Sequence, residues 1–338
     1  MHFRTTVTDK VLKFKGSLSN NHMHWMRNEI DGFSGKVLDL RNDSLPMGEA
    51  PAGKLLCATM VAIGMNTETA LTVIQGEMGV TRATVNVASS SDFGVRAQRV
   101  FLSNPPVKTK YGNLLFLGDF KYLSSEERLK PRGFRYSIAL RDVEQDEETV
   151  LGFRVHALRE GVANYVIKPR SEQWEMFNEA LTFRLGKMPH RLLDGDLIGS
   201  EGKVVGSREV SSSSYSLDDL VLPVVGTGTV YPVNPSATAY RSAIDRLKLT
   251  AETMSTWKGH YRKALLKPSD IQWDIVRLSS AENPLMLSLP SKISHTGRKI
   301  KPRKETYLRL RFTLTEGDAK VVVQELLQRS YEDWTKSS

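Results

Sequence analysis

Between residues 79 and 210 the chain repeats one pattern, short runs rich in Val, Ile, Phe and Tyr separated by turn residues. The runs are Thr84–Ala88, Val100–Ser103, Asn113–Leu117, Phe134–Leu140, Val150–Ala157, Asn164–Lys168 and Lys203–Val210. Strands this short, recurring every ten residues or so, leave little room for crossover helices and predict antiparallel pairing in a sandwich or barrel. Phe134, Tyr136, Ile138 and Leu140 alternate with Arg135, Ser137, Ala139 and Arg141, so that strand turns one face to a core and the other to water. One helix interrupts the series near Ser171–Gly186, where Trp174, Phe177 and Leu181 recur at helical spacing.

On either side the pattern changes. A chain of 338 residues can bury a sizeable core, and its length favours two or three domains. We divide it into a helical extension at 1–78, a β-sandwich core at 79–210, a linker at 211–232 and an α+β region at 233–338 that carries a basic segment. In the first segment Leu55–Met65 reads as a buried helix, and Asn66 is placed to cap a second over Thr67–Gln75. Ser211–Ser214 marks the linker. Asn234–Pro235 opens a long amphipathic helix through Tyr240, Ile244, Leu247, Ala251, Met254, Tyr261 and Leu265. Tyr307–Leu314 reads as a strand and Asp318–Trp334 as a last helix. The fold class is therefore mainly β with helical additions (α+β).

Lys and Arg total 47 against 38 Asp and Glu, a formal charge of +9, and an excess of that size favours polyanionic partners. It is concentrated. Lys292 to Arg311 holds eight cations against Glu305 alone, and Gly297 and Pro302 keep its centre irregular. Arg298, Lys299, Lys301, Arg303 and Lys304 are the first nucleic-acid-binding candidates, with Arg309 and Arg311 following on one face of a strand. A second basic stretch, Arg96 to Arg141, interleaves Tyr111, Phe116, Phe120, Tyr122, Phe134 and Tyr136, and there Arg128, Lys130 and Arg132 are the candidates.

Signals for catalysis are weak. Gly48 to Lys54 has the spacing of a phosphate loop, but Leu55 stands where Mg²⁺ needs a hydroxyl and Pro51 removes an amide donor. His22 and His24 lack further metal ligands at a recognised spacing, and no nucleophile elbow or HExxH motif occurs. Cys57 is the single cysteine, set in an apolar run, so it reads as a core residue and no disulfide can form within the chain. No enzyme activity, metal or cofactor is expected. No leader is apparent in Met1–Lys15, and the longest uncharged apolar run, Leu55–Met65, is too short to span a bilayer.

The segment 113–210 resembles the core of the thirty-kilodalton superfamily of plant viral movement proteins. The matching features are Leu117-Gly118, Arg132-Gly133, the strand Ser137–Leu140 leading to Asp142, the acidic turn Asp146–Glu148 leading to Leu151-Gly152, and Tyr165–Pro169. The resemblance implies a jelly-roll-like sandwich with Asp142, Gly152 and Pro169 as hallmark residues. It also implies a homo-oligomeric carrier of single-stranded RNA or viral nucleoprotein, working in host cytoplasm and plasmodesmata. The alternative reading is a viral matrix or capsid-type protein that binds genome and touches acidic membrane peripherally.

Overall fold

The computed structural model describes residues 23–32, 34–46, 51–52, 54–87, 94–124, 130–141, 155, 158–166, 169–200, 203–206, 215–278, 305–315, 317 and 319–326. The chain forms two compact units, one from Phe14–Val150 with Ser269–Glu316, the other from Met1–Lys13, Leu151–Pro268 and Gly317–Ser338. The four segments drawn from composition cut across this division, because the strands of 79–141 find their partners far away in sequence. The protein is mixed α+β with a mainly β core.

The first unit is built on one sheet. Its strands are β1 (Met23–Ile30), β2 (Leu55–Ile63), β3 (Ala83–Thr84), β4 (Val95–Leu102), β5 (Lys110–Tyr111), β6 (Leu115–Leu123) and β7 (Gly133–Arg141), joined by β14 (Ser269–Leu278) and β15 (Glu305–Leu314). The order is β14-β15-β7-β1-β4-β2-β6-β5, with β3 on β4. This corrects the expected jelly-roll sandwich: the strands of 83–141 share a single sheet with residues from both ends of the chain. Nor is the sheet purely antiparallel, since β1 runs parallel to β4 while pairing antiparallel with β7.

The segment Leu55–Met65, expected as a helix, is the central strand β2, flanked by β4 and β6. Buried on both faces, it has no polar alternation to betray its period, and an unbroken apolar run reads equally as a buried helix. The helix after it is as expected: α1 (Thr67–Glu77) starts where the Asn66 side chain accepts from the Thr69 amide at 2.8 Å. Its Ala70 and Ile74 close a core with Leu56, Ala58, Met60, Ala62, Val100 and Leu102, so α1 covers one face of the sheet.

A bulge in β6 pins the chain between β1 and β2. The register with β2 slips between Cys57 and Thr59, and Asp119 there has positive φ (48°). Its carboxylate accepts from the amides of Arg41 (2.9 Å) and Asn42 (3.0 Å), while its own amide donates to the Asn42 carbonyl at 2.6 Å. Gly118 lies directly under that carbonyl, where a Cβ would overlap it.

The second unit has β9 (Leu197–Ser200), β10 (Lys203–Gly206), β11 (Leu220–Val224) and β12 (His260–Lys263) in the order β10-β9-β11-β12, and a separate pair of β8 (Val162–Ala163) with β13 (Leu265–Leu266). Its helices are α2 (Glu172–Gly186), α3 (Ala237–Leu247), α4 (Ala251–Ser255) and α5 (Ala319–Leu326). The helix expected at 171–186 is α2, whose Phe177 and Leu181 are buried. The long helix expected from Asn234 to Leu265 is interrupted. Lys248 takes a left-handed conformation (φ 53°), the Thr250 hydroxyl caps a new short helix at Thr253 N, and the chain turns to strand at His260. The strand expected at Asn164–Lys168 is not seen at its described residues 164–166; Val162 and Ala163, just before it, form β8 instead.

At the centre of this unit is a fully buried ion pair. Arg184 meets Asp196 through Nε (2.9 Å) and Nη2 (2.6 Å), and its remaining donors reach the carbonyls of Pro189 and Arg191. Asp196 also accepts from the Leu193 amide and from Asn234. Burying these charges is tolerable because the pair is bidentate and its other valences are satisfied.

Candidate nucleic-acid interface

Register brings a row of polar and aromatic side chains onto the α1 face of the sheet. Arg27 on β1 stands beside Arg96 on β4 and opposite Tyr136 on β7, and Tyr136 in turn stands opposite Phe312 on β15. One step along, Glu29 faces Phe134, while Gln98 follows Arg96 on the same side. Contacts agree with this placement. The Arg27 guanidinium lies 3.6 Å from the Phe134 ring centre, and Tyr136 stacks on Phe312 at 5.4 Å. Arg96 reaches Thr67 Oγ1 at 3.5 Å, at the start of α1.

Such a row is costly unless it has a use. Arg96 (2% exposed), Gln98 (3%) and Glu29 (3%) are buried in the middle of a sheet. Gln98 Nε2 and Arg27 Nε have no hydrogen-bond partner among the described residues. A buried donor without an acceptor costs about 1–3 kcal/mol, so both are free to serve a bound group that offers oxygen acceptors. Of the neighbouring rings, Tyr136 and Phe312 are buried against each other, and Phe134, part-buried, carries the Arg27 guanidinium on its face.

Glu29 adds a proton-carrying group. Burial raises its carboxyl to about 7, opposed by the Arg99 amide that donates to it at 3.3 Å and by the charges of Arg99 and Arg27, and assisted by Asp31. A carboxyl poised near neutrality can both give and take a proton.

Behind this row a second polar group fixes the end of β1. Arg99 Nη2 pairs with Asp31 at 2.6 Å and Nη1 approaches the Cys57 sulfur at 3.2 Å, while Lys121 lies 3.7 Å from Asp31. Cys57 is buried as expected, and burial pushes its thiol up against the opposing pull of Arg99. This group orients Arg99 and, through its amide, Glu29.

Of the residues proposed from sequence, Lys130 and Arg132 are exposed at the start of β7, where Arg132 Nε donates to the Gly32 carbonyl at 3.0 Å. Pro169 lies part-buried before α2, in the other unit. Arg128, Asp142, Gly152, Arg298, Lys299, Lys301, Arg303 and Lys304 lie outside the described residues. The stretch Gly48–Lys54 falls mostly outside them as well. Sequence reasoning missed Arg27, Glu29 and Gln98, and counted Arg96 only as the start of the second basic stretch. Their one signal is polar and charged residues (Arg27, Asn28 and Glu29; Arg96, Gln98 and Arg99) within strand-length segments bounded by apolar residues, Met26–Ile30 and Val95–Phe101.

No group of three or more possible metal ligands occurs among the described residues, and no helix there is long and apolar enough to cross a membrane. No profile of a known protein family matches the chain. Individual relatives do. The chain is 24% identical over 148 residues to the pseudouridylate synthase 7 homolog of Bos taurus, covering 40% of this chain and 22% of that protein. It is 23% identical over 199 residues to the multisubstrate pseudouridine synthase 7 of Schizosaccharomyces pombe, covering 48% of this chain and 29% of that protein. The match thus spans less than a third of either relative's length. In fold, the chain resembles a solved Methanosarcina mazei structure assigned as tRNA pseudouridine synthase D, with a TM-score of 0.50 and 12% identity over 92% of this chain and 93% of that one.

These findings overturn the movement-protein resemblance. The relatives are proteins of cattle and fission yeast named as pseudouridine synthases, and the fold resembles that of an archaeal structure titled likewise. Asp142, Gly152 and Pro169 lose the hallmark role that the resemblance implied, and the placement in plasmodesmata falls with it. The expectation of a protein without catalytic activity is corrected too, because the relatives are synthases by name. The resemblance misled because its elements are short strand motifs ending in Gly, Asp or Pro, which strand ends in unrelated sheets also favour.

Proposed function

We propose that this protein is an RNA-modifying enzyme that isomerises uridine to pseudouridine. The observation that carries the proposal is the sequence likeness to relatives that bear this one activity in their names. The reaction breaks the bond from the ribose C1′ to N1 of the uracil, turns the base, and joins C1′ to C5. The C5 hydrogen leaves as a proton and N1 gains one, so atoms balance and no cofactor is consumed. A site for it must hold a planar ring with two carbonyl oxygens and move a proton. The unpartnered donors of Gln98 and Arg27, the part-buried Phe134 ring, and the Glu29 carboxyl suit those needs.

The basic excess then serves RNA substrate in place of viral cargo. Arg128, Lys130, Arg132, Arg298, Lys299, Lys301, Arg303 and Lys304 are proposed as backbone contacts, which position RNA without reading its sequence.

The test follows from the lost C5 hydrogen. Cellular RNA carrying uridine tritiated at C5 should release tritium to water on incubation with the protein. Gln98→Leu, which keeps the volume and removes the donor, should lower the rate about tenfold, the worth of one buried hydrogen bond. RNA bound without any tritium release would sink the proposal and leave a binding protein.

A further inference from the structure

On the other face of the same sheet, away from α1, the register gathers a second set of cations. Arg135 on β7 stands opposite Asn28 on β1 and Thr313 on β15; Ser137 stands opposite Arg311, and Ala139 opposite Arg309. Arg309 and Arg311, two apart on β15, therefore share a face with Arg135. Two residues advance a strand by roughly 7 Å, which gives each guanidinium room for its own anion. All three are part-buried, none is fully covered, and the Arg309 side chain is 18% exposed.

Among the described residues the carboxylates near them are few. Asp274 on β14 holds Arg309 through two bonds, Nε at 2.9 Å and Nη2 at 2.5 Å, and Asp270 accepts from the Thr313 hydroxyl at 3.0 Å. Arg135 and Arg311 have no ion pair of their own among the described residues. Burial lowers the Arg311 guanidinium below its usual range, the Arg309 charge lowers it further, Asp274 opposes, and Arg135 adds to the lowering. Like charges crowded on a half-dry surface repel, and a bound anion with several oxygens relieves that repulsion. The geometry is also selective, since planar guanidinium forks match phosphate oxygens bidentately where ammonium groups would not.

We infer that the β7–β15 face carrying Arg135, Arg309 and Arg311 is a phosphate-binding surface for the RNA backbone, separate from the base-binding row on the α1 face. The inference rests on the RNA reading above, but it concerns where the strand is gripped, not where the chemistry occurs. Its guanidiniums meet phosphates, so it adds affinity without sequence preference.

The decisive variant is Arg135→Ser with Arg311→Ser, which leaves the Arg309–Asp274 pair intact. Affinity for single-stranded RNA is measured against salt. Losing two phosphate contacts should flatten the slope of log affinity on log salt by about 1.4 units. Tritium release at saturating RNA should stay at the wild-type rate. Arg135→Gln alone should flatten the slope by about 0.7 and serves where the double variant does not fold. An unchanged slope in either folded variant overturns the inference. So does a loss of binding to phosphatidylserine vesicles with RNA binding intact, which would assign the face to membrane. Wild-type protein that binds RNA but releases no tritium would refute the enzymatic reading and leave this surface standing.

Discussion

A carboxyl that titrates near 7 spends the neutral range divided between two forms, and for Glu29 the sign of the consequence can be worked out. Unfolded, the group ionises around 4.5; folded, burial raises it to about 7. Between those values the folded protein binds more protons than the unfolded chain. Stability therefore falls as pH rises through this window, the favourable contribution being fully present below about 4.5 and lost above about 7. The total is about 3 kcal/mol, at 1.36 kcal/mol per unit. Glu29→Gln keeps an oxygen for the Arg99 amide and carries no charge. The variant should match the wild type in unfolding free energy from urea titration at pH 4.5 and exceed it by up to about 3 kcal/mol at pH 8. Equal pH dependence in the two proteins would show that Glu29 ionises as freely folded as unfolded.

At the level of strands and helices, the bulge at Gly118 makes a sharper prediction than any apolar contact. Its missing Cβ is what lets the Asn42 carbonyl lie over β6, so Gly118→Ala must push two backbones apart. The expected cost is about 1–3 kcal/mol, read by urea unfolding, with Asp119 no longer able to hold the amides of Arg41 and Asn42 together. A cost below about 0.5 kcal/mol, the level of a neutral surface change, would mean that this segment is not docked there. The same comparison of elements shows what sequence can convey. Alternation at Phe134–Leu140 and Tyr307–Leu314 marked β7 and β15, and Asn66 marked the start of α1, because each is a local rule. Leu55–Ile63 was misread because a strand covered on both faces has lost its period, and the helix from Asn234 because a left-handed Lys248 leaves no compositional trace. The candidate site was less legible. Arg27, Arg96 and Tyr136 come from three strands and meet only through register, which non-local pairing sets.

For the molecule as a whole, the buried pair of Arg184 and Asp196 offers a probe of how far the two units depend on each other. Asp196→Asn strands a guanidinium with no counter-charge, at a cost of about 3–5 kcal/mol. Hydrogen exchange should then speed up in α2, β9 and β11 while β2, β4 and β6 keep their protection; equal loss in both would mean that the chain unfolds as one body. The arrangement of the large sheet carries a consequence for the protein's birth. Strand β7 is complete at residue 141, yet the neighbour that covers its outer edge, β15, begins at residue 305. During synthesis at about 5–20 residues per second, β7 waits roughly 10–30 s for that partner. All that time it shows the ribosome's surroundings an open edge bearing Tyr136 and Ile138. Such an edge calls for shielding by chaperones or by the neighbouring Arg135 charge, so chains truncated before residue 305 are expected to pellet more readily than the full chain.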